Sequence, residues 1–342
     1  MAQRLIDAMD IAGAWSALAP DGVTPSTELS LTNETVQVRY GVDGHSGRIQ
    51  ASAAAADHLL RRTLGAAVDL RPYRELRLWV HANRAATGTA TQPFFLELRL
   101  GSAVLPVDAP GNTWHRYLAV SQAGTWELQR LSLEDLPTAV RSAVVTLQLR
   151  CRSGVPFTCY VDDVLAVRDE MVLDAEAALL ARLHNGLVLG GSPVPAVVHS
   201  PDVAAPNPPY LRITRLGIEH SNARTPSASV RSDYSSAGSA LRPAGFAYDL
   251  LYRVDAFATT LEDEARLLDF ALERLPPRGD LLVNGVMLPL EMTTLPAREL
   301  IGGSRGERVG LLYRVLARKD AGAALLARDV STVLVEADMK VA

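Results

Sequence analysis

The stretch Glu75-Leu76-Arg77-Leu78-Trp79-Val80 decides the fold class of the first half of this 342-residue chain. Its second, fourth and sixth residues are apolar, and this period of two is typical of a strand with one buried face. Trp79 lies on the other face, which is expected to meet either solvent or a second protein. Strands are also predicted over residues 35–40, 94–100 and 144–149. Short strands joined by turns predict an antiparallel β-sandwich over residues 1–168.

From about Glu170 the pattern changes to helical spacing. One helix is predicted over residues 174–183 and is ended by Asn185-Gly186. A second helix begins at Thr259 or Thr260 with a capping box, and Pro276-Pro277 ends it. Strands are predicted at 195–199, 210–213, 246–257, 281–286, 309–316 and 333–335. Residues 171–342 are therefore expected to form a second, α+β domain, with helices packed on a mostly antiparallel sheet.

The second helix carries an apolar stripe with a spacing of four and three residues. The stripe is expected to pack against the sheet as a core element and not as a functional site. Its members are Leu261, Ala265, Leu268, Leu272 and Leu275.

Residues 221–245 are rich in Ser, Ala, Gly and Arg and form either a long mobile loop or an extended hairpin. Their few apolar side chains would not offset the conformational entropy lost on ordering. We therefore expect a neighbouring subunit to order this segment. Arg224, Arg231 and Arg242 would then pair with carboxylates across that interface.

Composition and motifs argue against several classes of function. A formal net charge of -4 gives no indication of nucleic-acid recognition. No phosphate-binding loop, His-Glu-x-x-His, paired-cysteine motif or nucleophile elbow occurs, so the protein is expected not to be an enzyme. No run approaches the roughly 18 apolar residues of a membrane span, so membrane insertion is not expected. No signal-peptide pattern opens the chain, so the protein is expected to assemble in a cytoplasm.

The two cysteines, Cys151 and Cys159, flank a predicted turn. A hairpin centred near Val155 would place them opposite each other, and two small buried thiols are the expected state in a reducing compartment.

The first half resembles the jelly rolls of carbohydrate-binding modules and galactose-binding-like domains. The resemblance covers most of residues 15–168 and rests on the order of its elements. These are Val68-Asp69-Leu70, Tyr73, Leu76-Arg77-Leu78-Trp79-Val80, Thr113-Trp114-His115-Arg116-Tyr117, Thr125-Trp126-Glu127-Leu128 and Cys159-Tyr160-Val161-Asp162-Asp163-Val164.

This resemblance implies two kinds of site. Asp162 or Asp163 would hold a structural calcium ion together with backbone carbonyls, since calcium prefers oxygen ligands. The alternative is that these carboxylates accept hydrogen bonds from nearby backbone amides. A glycan would stack on an exposed aromatic ring. The candidate rings are Trp79, Trp114 and Trp126, with Trp15 as a further one.

The second half resembles the tail-terminator and tail-completion proteins of tailed bacteriophages and contractile injection systems. The resemblance spans about residues 171–336. It rests on an opening amphipathic helix followed by Pro195-Ala196-Val197-Val198-His199-Ser200-Pro201, Pro209-Tyr210-Leu211-Arg212-Ile213, Tyr248-Asp249-Leu250-Leu251-Tyr252-Arg253-Val254-Asp255-Ala256-Phe257 and Leu275-Pro276-Pro277. It implies a small α+β subunit that closes into a ring, usually sixfold, on the end of a tail tube.

Together, these patterns predict a structural protein of a phage tail or contractile injection particle, assembled in the bacterial cytoplasm. It would form a homohexameric ring that contacts tail tube, sheath or connector proteins, with the sandwich as an outward decoration and no cofactor except the calcium. Two alternatives are a glycan-binding adhesion module and a hydrolase with a carbohydrate-binding module.

Overall fold

A computed structural model describes most of the chain and contains mainly β-strands. The described residues are 3–39, 44–224, 230–236, 238–243, 245–293, 310–319 and 325–327.

Two antiparallel sheets build the first half. Its elements are β1 (Gln3–Asp7), β2 (Trp15–Leu18), β3 (Leu29–Glu34), β4 (Ser46–Ala51), β5 (Leu59–Val68), β6 (Glu75–Ala82), β7 (Leu96–Ser102), β8 (His115–Leu118), β9 (Glu127–Ser132), the short helix α1 (Thr138–Arg141), β10 (Val144–Cys151) and β11 (Phe157–Val167). One sheet has the order β3-β4-β11-β6-β9, with β1 also paired to β11, and the other begins β2-β5-β10-β7-β8. Apolar side chains from both sheets form one buried cluster, so the sheets are sandwich-like, as predicted.

A third sheet with two helices builds the second half. Its elements are α2 (Met171–Leu183), β12 (Val188–Leu189), β13 (Ser192–Pro193), β14 (Ala196–Val198), β15 (Tyr210–His220), β16 (Val230–Ser235), β17 (Gly238–Arg242), β18 (Phe246–Phe257), α3 (Leu261–Arg274), β19 (Arg278–Val283), β20 (Val286–Met292), β21 (Leu311–Lys319) and β22 (Leu325–Ala327).

The third sheet has the order β14-β15-β18-β21-β20-β19, and only β14 and β15 run parallel in it. Side chains from α2, α3 and this sheet form a second buried cluster, which shares no residue with the first. The predicted division into domains at Arg168-Asp169-Glu170 stays a prediction, which limited proteolysis would test by the stable fragments it releases.

The hairpin β16–β17 leaves the second half and lies on the sandwich. It continues the second sheet beyond β8 through the pair Tyr117–Tyr234, and β22 follows β17. Of the two alternatives for residues 221–245, the extended hairpin is therefore right for the part of this range that the structure describes. The expectation that only a neighbouring subunit orders it is wrong, because the edge of the chain's own β8 provides the partner.

Two predicted strands differ from the structure for local reasons. Residues 35–39 do not form a strand, because the Glu34 side chain accepts hydrogen bonds from the Thr35 and Val36 amides that a strand would offer to a neighbour. The predicted strand 281–286 is interrupted at Asn284-Gly285, where φ values of 52° and 75° form a tight turn between β19 and β20. The predicted strand 333–335 lies outside the described residues.

The cysteine prediction is wrong in its geometry. Cys151 ends β10 and Cys159 lies on β11, and these strands belong to different sheets, so the residues are not opposite each other in a hairpin. Both thiols are buried in the sandwich core as predicted, and burial raises the pKa of Cys151 to about 11.

Helix α3 begins as predicted, but its buried face coincides with the predicted stripe only in part. Leu275 of the stripe is buried and Leu268 packs against the core. Thr260 caps it by accepting a hydrogen bond from the Asp263 amide. Leu261 of the predicted stripe is 86% exposed, whereas Leu267, Phe270 and Ala271 are buried. The apolar residues cover more than one helical face, and the packing of α3 against β18 selects the face that includes Phe270.

Candidate functional site at the junction of the two halves

The second face of β6 is the centre of the candidate site. Glu75, Arg77 and Trp79 were predicted to face away from the sandwich core, yet they are only 4%, 6% and 9% exposed. The cover comes from the same chain, because the Asn284-Gly285 turn of the second half reaches this face. Trp79 was expected to meet either solvent or a second protein, and it instead contacts another part of its own chain.

Arg77 connects three parts of the chain. Its Nε donates to Glu75 Oε1 at 2.8 Å, and one terminal nitrogen donates to the Asn284 carbonyl at 3.3 Å. The other terminal nitrogen donates to Asp169 Oδ1 at 2.6 Å, between the sandwich and α2. A guanidinium can serve several acceptors at once because its five N–H groups are held in one plane.

Glu75 is the buried anion of this network. Arg130 of β9 donates to Glu75 Oε1 at 2.9 Å, in addition to the bonds from Arg77. Burial by itself would raise the pKa of the Glu75 carboxyl, but the two guanidiniums outweigh it and hold that pKa below its ordinary value. The network is therefore ionised at neutral pH.

The Asn284-Gly285 turn contacts both strand β6 and helix α2. Trp79 Nε1 donates to the Gly285 carbonyl at 2.8 Å, and Asn284 Nδ2 donates to Asp174 Oδ2 of helix α2 at 2.5 Å. Gly285 has φ 75°, which favours glycine, and a Cβ there would lie 2.9 Å from Leu165 Cδ1, so the Leu165 side chain would have to shift. Burial raises the pKa of the Asp174 carboxyl.

A second contact between the halves involves the β16–β17 hairpin. Asp233 Oδ1 accepts hydrogen bonds from Arg116 Nε at 2.5 Å and from the Ser132 amide at 2.9 Å. The Tyr234 ring lies 5.4 Å from Phe94, which stacks on Tyr117 at 4.8 Å. An ion pair and aromatic contacts together fix the hairpin on the sandwich.

Of the predicted glycan-binding rings, only Trp126 retains an accessible face. Trp79 and Trp114 are buried, and Trp114 Nε1 donates to the Ser132 carbonyl, so the prediction that they form an exposed platform is wrong. Trp15 is also buried. Trp126 is half-buried and lies 5.5 Å from the His81 ring, which contacts Tyr160 at 5.3 Å.

The two predicted calcium ligands have different surroundings. Asp162 is fully buried, and its Oδ2 accepts a hydrogen bond from the Arg39 amide at 2.8 Å, which matches the alternative of bonding to backbone amides. Burial, with a smaller contribution from Asp10, raises the pKa of Asp163 to about 6. Among the described residues, no three His, Cys, Asp or Glu side chains are grouped so as to hold a metal. Calcium at Asp163 would thus rely on backbone carbonyls and stays a prediction.

The predicted interface arginines lie on the β16–β17 hairpin or shortly before it. Arg224 pairs with Asp249 and donates to the Tyr248 carbonyl at 3.1 Å. Arg242 Nε donates to Ser232 Oγ at 2.9 Å across the hairpin. Arg231 is exposed on the same hairpin. Their roles in an interface between subunits stay predictions.

Sequence reasoning missed the residues that join the halves. These are Glu75, Arg77, Arg130, Asp169, Asn284 and the pair Arg116–Asp233. The available signal was an Asn-Gly pair inside a predicted strand, which indicates a tight turn. This network joins the two halves of the chain, since its charged groups are paired with one another.

Three solved structures are among those similar to this chain. A sheath/tube terminator of an extracellular contractile injection system, PVC, in its extended state is 16% identical, covers 51% of this chain and 66% of its own, and has a TM-score of 0.41. A family 11 carbohydrate-binding module from Clostridium thermocellum, in complex with a mixed-linked tetrasaccharide, is 9% identical, with coverages of 48% and 95% and a TM-score of 0.33. A family 30 module of a cellulosomal cellulase of Clostridium thermocellum is 15% identical, with coverages of 50% and 99% and a TM-score of 0.35.

No family model matches the chain, and no curated protein matches it. Within the described part of the chain, no helix has both the length and the apolar character required to cross a membrane.

Proposed function

We propose that this protein is a structural subunit of a phage tail or contractile injection particle. Its second half joins further copies into a ring that ends the tail tube, and its sandwich faces outward. The observation that carries the proposal is an open strand edge on the third sheet. We interpret this edge through the sequence resemblance of residues 171–336 to tail-terminator proteins, which implies a subunit that closes into a ring.

The open edge belongs to β15. This strand has 11 residues, but β14 pairs only with Leu211, Arg212 and Ile213. Within the described residues, no strand lies beside the outer edge of residues 214–220. Leu216 and Ile218 on this segment are 39% and 47% exposed. An exposed edge with apolar side chains is a template for pairing with another chain.

The opposite edge of the same sheet is β19. There Arg182 of α2 donates to the Asp280 carbonyl at 2.8 Å, so a side chain occupies part of that edge. A contact from the β15 edge of one copy to a different surface of the next is heterologous, and such contacts close into rings when the rotation between copies allows it. The sixfold number and the contacts with tube, sheath or connector proteins are part of the proposal.

The experiment images the purified full-length chain by negative-stain electron microscopy and measures its mass by light scattering. We expect rings for the wild type and monomers for Ile218→Lys, because an edge lysine opposes strand pairing. Val36→Lys, at an exposed residue of the first half, is the matched control and should keep the rings. A wild type that stays monomeric at all concentrations, or an Ile218→Lys variant that still forms rings, would overturn the proposal.

A second candidate function, a glycan-binding adhesion module, is favoured by one specific observation. Trp126, His81 and Tyr160 form a group of partly accessible rings on the sandwich. Binding of the wild type on a glycan array, lost in Trp126→Ala and accompanied by a monomeric mass, would favour this function over the ring.

A further inference from the structure

Two side-chain oxygens at the junction of the halves are buried without a hydrogen-bond donor. They are Asp174 Oδ1 on α2 and Asn284 Oδ1 in the turn between β19 and β20, and neither has a partner among the described residues. The two residues are only 2% and 4% exposed. Because buried polar atoms are almost always hydrogen-bonded, two such oxygens require a physical explanation.

The two oxygens belong to side chains that are already bonded to each other. Asn284 Nδ2 donates to Asp174 Oδ2 at 2.5 Å, and the Glu170 amide donates to the same oxygen at 2.9 Å. An ionised carboxylate only accepts hydrogen bonds, whereas a protonated one has an O–H group that donates. A single proton on Asp174 Oδ1 would therefore give both oxygens a partner, in a pair of hydrogen bonds between an acid and an amide.

The charged groups around Asp174 do not provide it with a counter-ion of its own. Arg77 of β6 favours the ionised form, but its nitrogens are bonded to other acceptors. Asp169, which precedes α2, has a like charge and opposes ionisation. Arg182 and Arg274 line the groove beside Asp174, where Arg182 donates to two backbone carbonyls and Arg274 lies over an aromatic ring of α3. Burial is the largest influence, and it raises the pKa of the Asp174 carboxyl.

The partner of Asp174 is the residue that places the turn on the sandwich. Asn284 has φ 52°, and its carbonyl accepts from Arg77 at 3.3 Å. The next carbonyl, that of Gly285, accepts from Trp79 Nε1 at 2.8 Å. The bond from Asn284 to Asp174 thus connects α2 to the turn that covers β6. A change in the charge of Asp174 acts directly on this connection.

We propose that Asp174 and Asn284 form a proton-dependent contact, in which Asp174 is a carboxylic acid whose Oδ1–H donates to Asn284 Oδ1. When the acid ionises, its proton passes to solvent, both oxygens lose their partner, and the turn is held less firmly on β6. Because the folded protein binds this proton more tightly than the unfolded chain does, the contact is complete in acid. It weakens as the pH rises from about 4 through the native pKa.

The first measurement is the infrared C=O band of a protonated carboxylic acid, recorded on the full-length chain as the pH is raised. Asp163→Asn is the background for this titration, because the pKa of Asp163 is about 6 and its own band would overlap. Any band from Glu176, whose pKa burial also raises, is common to both proteins compared. We expect a band that disappears with rising pH and that is missing once Asp174→Asn is added.

The second measurement is hydrogen exchange of the backbone amides of residues 283–288 at about pH 5 and about pH 8. Asp174→Asn keeps the shape of the acid, and its amide donates to Asn284 Oδ1 at every pH. Division of the wild-type exchange rate by that of the variant removes the direct effect of pH on exchange. We expect a ratio near one at about pH 5 and a ratio several times higher at about pH 8, because only the wild type loses the proton.

Two further variants separate the contact from a general effect of charge or of the turn. Asp202→Asn removes an exposed carboxylate far along the chain and should exchange like the wild type at both pH values. Asn284→Gly keeps the positive φ but removes the amide, so residues 283–288 should exchange rapidly with little dependence on the charge of Asp174.

Three outcomes would overturn the proposal. They are the absence of any acid band from Asp174, an exchange ratio that does not change with pH, and an Asp174→Asn variant that exchanges faster than the wild type at both pH values. The last would show that Asp174 holds the turn as an ionised carboxylate, with a water molecule at Oδ1 in place of the proton.

Discussion

The face of β6 that points away from the sandwich core is covered at one end and partly accessible at the other. At the covered end, Glu75, Arg77 and Trp79 of β6 are buried beneath the Asn284-Gly285 turn. At the uncovered end, His81 of the same strand lies between Tyr160 and Trp126 and stays partly accessible. The two ends share one strand and one alternation, so the difference lies in what another part of the chain places over them.

Two ion pairs on the sandwich make the same point. Glu75–Arg77 and Asp69–Arg71 both join residues two apart, at 2.5 and 2.7 Å. The first pair is buried, whereas the second is exposed to solvent. An exposed pair contributes little to stability because water screens it, but a buried pair that loses one partner leaves an uncompensated charge.

Removal of the Arg77 side chain should have the largest effect. In Arg77→Ala, the Glu75 carboxylate would stay buried with Arg130 as its remaining cation, and we expect a loss of about 3–5 kcal/mol in the free energy of unfolding. Urea denaturation of the full chain measures it. Arg71→Ala is the matched control, with an expected change below about 0.5 kcal/mol. Equal losses in the two variants would show that the covered end has no special energetic role.

Trp79→Phe removes one hydrogen bond at the covered end, together with part of a buried ring. The variant keeps an aromatic ring but leaves the Gly285 carbonyl without its indole donor, and an unsatisfied buried acceptor costs about 1–3 kcal/mol. We expect thermal unfolding to occur at a lower temperature by a corresponding amount. Tyr160→Phe at the uncovered end is the control and should behave like the wild type. A Trp79→Phe variant as stable as the wild type would contradict the importance of this bond.

Asp163 lies in the irregularity of β11 next to the covered end and should make stability depend on pH. Its native pKa of about 6 lies above the ordinary 3.8, so the folded protein holds the proton more tightly than the unfolded chain does. This carboxyl therefore destabilises the fold increasingly as the pH rises from about 4 to 6. Asp163→Asn should be more stable than the wild type at pH 7, by about 1 kcal/mol after allowance for solvent screening, and equal to it near pH 4.

The same variant tests the calcium prediction. If calcium binds at Asp163, millimolar calcium should raise the melting temperature of the wild type and leave that of Asp163→Asn unchanged. A wild type that does not respond to calcium, together with a variant that shows the expected gain at pH 7, would assign Asp163 to the pH effect alone.

The smallest effect on stability is expected for Trp126→Ala at the uncovered end. Trp126 lies outside the covered network, and substitutions at such positions usually change stability by less than about 0.5 kcal/mol. Thermal unfolding beside Trp79→Phe measures the contrast. A loss from Trp126→Ala as large as that from Trp79→Phe would show that the uncovered end is also held by packing.

Local signals located most elements. The alternation at 75–80, the cap at Thr260 and the stop at Asn185, which has φ 57°, all correspond to features of the structure. The stripe on α3 was right for Leu275 and Leu268 and wrong for Leu261, because the apolar residues of the helix fit two faces and only the surrounding sheet selects one. The division of 281–286 at Asn284-Gly285 could have been predicted, since that pair favours a tight turn.

The sequence by itself determined strand β6 and the polar character of its second face, because a period of two depends only on neighbouring residues. Only the tertiary structure decided that this face is buried. Arg77 and Asn284 are 207 positions apart along the chain, and no local pattern states what will cover a strand's polar face. The charged residues there are compatible both with water and with a buried network, and the choice depends on whether a distant turn brings matching donors and acceptors.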